Sequence, residues 1–65
     1  MINIAFSKRH RDAIHDIGFW LDVNIPNPPL PEPQRWDIEY SQDSKLYGIR
    51  FADDKDATLF ALRWS

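Results

Sequence analysis

At 65 residues the chain is one domain or less, and a domain of this size buries only about 60% of the surface its unfolded form exposes, so its core is thin. The absence of cysteine excludes disulfide staples and cysteine-held zinc or iron–sulfur sites, and a net charge of −2 excludes a strongly basic nucleic-acid sleeve. With 43% apolar and 14% aromatic residues, three of them Trp, the chain has the material to fold.

Residues 2–6 alternate, with Ile2, Ile4 and Phe6 on one side and Asn3 and Ala5 on the other, which predicts a short strand. No long apolar run follows the basic cluster Lys8–Arg11, so neither a secretory leader nor a bilayer-spanning helix is expected, and a cytoplasmic location is the default. Ser7 is placed to cap a helix. His10, Ala13, Ile14 and Ile17 recur at helical offsets, and Gly18 permits a stop, which together predict a helix over 8–17.

Two periods fit residues 19–25. Phe19, Leu21, Val23 and Ile25 alternate as in a strand, and the β-branched residues and the proline at 26 favour that reading. A helix running on through Gly18 is the other option, with Ile14, Ile17 and Leu21 on its buried face. All five prolines then fall in 26–33. The segment 26–34 is predicted to be an extended polyproline strap crossing the domain, with Leu30 and Pro31 packed on Trp20 or Trp36.

Trp36, Ile38 and Tyr40, a polar turn at 41–44, and Tyr47, Ile49 and Phe51 read as a β-hairpin with one apolar face. Asp53 or Asp54 caps a final helix over 54–64, in which Ala57, Phe60, Ala61 and Trp64 form the apolar stripe. Lys45–Phe51 followed by Ala57 resembles the strand-then-helix half of RNA-recognition motifs over about a third of the chain. The spacing is off by one residue, and Arg50 stands where that motif carries an apolar residue. The fold class expected is α+β: a small, mostly antiparallel sheet with two helices on one face, in the order β-α-(β)-proline strap-β-β-α.

His10 and His15 lie five residues apart and diverge around a helix, and with Asp12 and Asp16 they make no closed metal set, so neither metal nor cofactor is expected. No serine stands in the context of an activated nucleophile, and so small a chain has little room for a catalytic pocket, so no enzymatic activity is expected. Lys8, Arg9 and Arg11 at a helix start could meet a phosphate, which makes a nucleic-acid-binding accessory protein the alternative function. The alternation puts Trp36, Tyr40, Tyr47 and Phe51 beneath the last helix, which removes them as a base-stacking platform. The reading preferred is a non-catalytic module that binds another protein or itself through Trp20, Leu30, Pro31 and Trp64.

Overall fold

A computed structural model describes residues 2–43 and 45–64. Its elements are β1 (Ile2–Ala5), α1 (Lys8–Asp12), α2 (Ile14–Asn24), β2 (Trp36–Tyr40), β3 (Leu46–Phe51) and α3 (Asp54–Trp64). The sheet order is β1-β3-β2 with both pairs antiparallel, so β1 and β2 run parallel with β3 between them. That is a split β-α-β unit followed by a further helix. The expected small α+β fold is present, and among the described residues no helix is long and apolar enough to cross a membrane.

Ser7 caps α1 in a reciprocal box. The hydroxyl of Ser7 accepts from the His10 N–H, and the Ser7 N–H donates to Nδ1 of His10 at 3.0 Å. The helix breaks after one turn at Ala13, whose N–H is shared between the carbonyls of Arg9 and His10. The chain then resumes as α2 and passes through Gly18 without stopping. The predicted helix over 8–17 is thus two helices, and the predicted strand over 19–25 is the second half of α2.

The physical reason is burial at a spacing of four. Ile17, Leu21 and Ile25 are fully buried, whereas Phe19 and Val23, their partners in the alternating pattern, are 72% and 63% exposed. A helix lets three large aliphatic side chains reach the core from one segment. Pro26 then ends it, because the residue before a proline is driven out of the helical region. A Cβ built on Gly18 meets nothing within 4 Å, so Gly18 is not there to make room. Gly18→Ala is expected to stabilise the domain by about 0.5–1 kcal/mol, read as a higher urea midpoint at unchanged slope.

The proline segment also departs from expectation. A turn closes it, with the Glu32 N–H donating to the Pro29 carbonyl at 3.2 Å across a cis Leu30–Pro31 bond. Leu30 is 82% exposed and Pro31 is exposed too, so neither packs on Trp20 or Trp36. Polar contacts tie the segment down instead. The side-chain oxygen of Asn27 accepts from the N–H groups of Arg35 (2.7 Å) and Trp36 (3.1 Å), while its amide donates to the Trp36 carbonyl (3.1 Å). Prolines offer no N–H, so the Asn27 amide supplies the pairing that ties the start of the segment to Arg35 and Trp36. Gln34 donates to the Pro28 carbonyl at 2.8 Å, and the indole N–H of Trp36 donates to the Ile25 carbonyl at 2.6 Å.

In the hairpin, Trp36 pairs with Phe51 and Ile38 with Ile49, but the register shifts between Glu39 and Tyr40, which faces Leu46. An extra residue on one strand breaks the alternation. Leu46 packs against the core, while Tyr40 and Tyr47, expected there, are 63% and 58% exposed. The Ser41 hydroxyl donates to the Asp43 carboxylate in the turn, and chiefly by that bond holds this carboxyl below its ordinary pKa.

The core comprises Phe6, Ile17, Leu21, Ile25, Ile49, Phe51, Ala57 and Phe60, so every layer contributes. Asp53 begins α3, its carboxylate accepting the Lys55 N–H at 2.9 Å. One turn on, the buried Asp56 takes two bonds from Arg35, at 3.0 and 3.2 Å, a bidentate pair that fixes the start of α3 to the approach of β2.

Candidate interaction surface

α2 and α3 meet through aromatic rings. Trp20 stands edge-on to Trp64 (6.4 Å between centroids, 88°) and to Phe60 (6.1 Å, 67°). Such edge-to-face contacts align the negative face of one ring with the positive rim of another. The Arg63 guanidinium lies 4.1 Å from the centre of the Trp64 ring, a cation–π contact. Between the helices runs an open crevice of about 370 Å³, lined by Asp16, Phe19, Trp20, Val23, Asn24, Arg63 and Trp64. Its walls are aromatic and aliphatic, with one carboxylate and one guanidinium at the rim.

His10 holds this end of α3 in place. Its ring stacks between Phe6 (5.4 Å) and Phe60 (6.1 Å), and Nε2 lies 3.0 Å from the Trp64 carbonyl. Because Nδ1 accepts the Ser7 N–H, the proton belongs on Nε2, which donates to that carbonyl. The cap of α1 and the last turn of α3 therefore share one side chain. Helix ends fray when their carbonyls lack partners, so this bond orders Trp64 in the last turn of α3. The indole Nε1 of Trp64 is buried and has no hydrogen-bond partner among the described residues.

The sequence-derived site residues separate into three places. Trp20 and Trp64 come together at the crevice. Leu30 and Pro31 lie at the turn of the proline segment, away from that lining. In the basic cluster, Lys8 pairs with Asp12 at 2.8 Å and Arg11 donates to the Phe6 carbonyl at 3.2 Å, while Arg9 forms no ion pair among the described residues. Phe19 and Val23 escaped the sequence reading as surface residues because the strand assignment turned them inward. The spacing of Ile17, Leu21 and Ile25 was the signal that places them outside.

The stacking platform does not assemble, because Phe51 is fully buried and Trp36 is bonded to Ile25, which leaves Tyr40 and Tyr47 as the exposed rings of the hairpin. Across the open face of the sheet, Arg50 meets Asp37 at 3.5 Å. Comparison of the chain with models of protein families, with curated proteins and with solved structures finds no match.

Proposed function

We propose that the chain is a non-catalytic binding module that docks on another protein through the α2–α3 face, with Trp20 and Trp64 as the floor of the site and Phe19 and Val23 as its exposed wall. The observation that carries this is the exposure of Phe19 and Val23 next to the Trp20–Trp64 crevice. Large apolar side chains scattered singly over a surface need no account, but a set rimming an aromatic crevice has the composition of an interface core. Arg63 on the Trp64 ring adds the third residue type enriched at binding hot spots. In this reading Leu30 and Pro31, outside the crevice lining, form a separate, secondary contact.

The nucleic-acid alternative has less support, since two of its three basic residues are engaged within the chain. One experiment separates them: capture of partners from the source lysate by the wild-type chain and by the Phe19→Asp/Val23→Asp variant. A specific protein is expected with the wild type, and its affinity should fall at least about thirtyfold in the variant, the loss set by a hot spot of about 2 kcal/mol. A parallel Leu30→Asp arm reports on the proline turn. Recovery of nucleic acid alone, released by salt and lost on Lys8→Gln/Arg9→Gln, would replace this reading with the alternative.

A further inference from the structure

The two edges of the sheet are treated differently. On β2, the Asn27 side chain occupies both backbone groups of Trp36, and Asp37 and Glu39 put charge along the strand. These are the devices that keep an edge from pairing with another chain. β1 has none of them: Ile2, Asn3, Ile4 and Ala5 are neutral, and none is proline. Phe6 donates its N–H across to Tyr47, so by the two-residue period Ile2 and Ile4 turn their backbone groups toward β3. Asn3 and Ala5 therefore present theirs outward, and no strand lies outside β1 among the described residues.

A row of outward N–H and C=O groups is satisfied by an extended chain, and the charges beside it say which one. At the Ile2 end stand Asp53 and Asp54. At the other end Arg9 stands with Ser7 and Ile4 beside the last turn of α3. Neither Arg9 nor Asp54 enters an ion pair among the described residues. A strand pairing antiparallel to β1 reverses these ends. A second copy of this chain would lay its acidic end along the basic end of the first, and the reverse. The surface is thus complementary to itself about a two-fold axis.

The helix layer accommodates the same operation. α3 packs over both β3 and β1. With strands about 4.8 Å apart, two helices so placed lie about 10 Å apart across the axis, which is the spacing of packed helices. Ala61, on the α3 side of the crevice that borders β1, is small enough for that approach.

We propose that two copies of the chain associate by antiparallel pairing of β1 with β1, joining their three-stranded sheets and setting Arg9 of each copy against Asp54 of the other. A four-residue strand and one helix flank make an interface at the low end of the usual size range, so the dimer is weak and dilutable. This surface is separate from the α2–α3 face, and either can fail without the other.

Sedimentation of the full chain over a concentration series, with amide hydrogen exchange at both extremes, tests the proposal. The mass is expected to rise from 7.7 kDa toward twice that value, with the Asn3 and Ala5 amides gaining protection as it does. Arg9→Glu and Asp54→Lys should each raise the dimer Kd about tenfold, and the double variant should return it to within about threefold of the wild type. Asn3→Pro should abolish the dimer by removing an outward N–H; the charge pair keeps the test standing if that variant does not fold. A chain that remains at 7.7 kDa up to its solubility limit overturns the proposal. So does a dimer whose Asn3 and Ala5 amides exchange at a rate independent of concentration, or one lost in Phe19→Asp/Val23→Asp but untouched by Arg9→Glu.

Discussion

Replacing Gly48 by alanine is expected to remove a large share of the domain's stability, although the change adds one methyl group. Gly48 is the centre of the sheet, with Ala5 on one side and Glu39 on the other. A Cβ there would collide with the carbonyl oxygen of Ile4 and lie 3.2 Å from the Ala5 Cα. Both are backbone atoms, so no side chain can swing aside to relieve the contact. Relief requires β1 to move off β3, which breaks the ladder and lifts Ile2 and Ile4 from the core they border. Overpacking of this kind costs about 3 kcal/mol. A chain of this length has about 3–10 kcal/mol of total stability, so the loss is a large share of the whole. The measurement is urea unfolding by far-UV circular dichroism beside Gly18→Ala. The same substitution should lower the midpoint at 48 and raise it at 18, and an unchanged midpoint at 48 would show that β1 does not approach β3 as closely as described.

These two glycines illustrate what the sequence made legible. In the sequence Gly18 reads as a helix stop because glycine often is one, yet α2 runs through it. The decision lay in tertiary burial, since only a helix brings Ile17, Leu21 and Ile25 to one core. By contrast the span of α3 was readable, because its cap, acidic first turn and apolar stripe point to one helix, although Ala61 of that stripe is exposed. The β2–β3 hairpin was readable at its open end near Trp36 and Phe51 and misread near the turn. Strict alternation carries no mark of the register shift that turns Leu46 in and leaves Tyr47 out.

Legibility of the candidate surface follows the same division. Trp20 and Trp64 could be singled out from residue type alone, and the helices bring them to one crevice. Phe19 and Val23 depended on the period of 19–25 and were lost with it. The anchoring of Trp64 by His10 was beyond reach, because a bond spanning 54 positions needs the fold to be known first. The proline segment was expected to supply apolar packing, but Asn27 holds it by three hydrogen bonds. An asparagine between two prolines, able both to donate and to accept, is the feature in that stretch that could have signalled it.

Phe60→Ala is the second substitution expected to remove most of the stability, and it carries a consequence for binding. Phe60 is fully buried and lies where α3 meets β3, α1 and α2, 5.4 Å from the Phe51 ring, 6.1 Å from His10 and 6.1 Å from Trp20. Truncating a buried phenylalanine costs about 3–5 kcal/mol, the upper values applying where neighbours cannot collapse into the space. Phe51 is fixed by the ladder and His10 by its bonds to Ser7 and Trp64, so collapse is restricted here. Phe60→Leu keeps most of the volume and should cost only about 1 kcal/mol. The indoles report the difference directly, since Trp20 rests on Phe60. In Phe60→Ala their emission should move to the red at zero denaturant, whereas in Phe60→Leu it should stay near the wild-type position. If the folded fraction of Phe60→Leu retains the wild-type affinity for a captured partner, the crevice owes its shape to the Trp20–Trp64 contact. If affinity drops in that folded variant, the ring beneath the two indoles sets the site as well as the core.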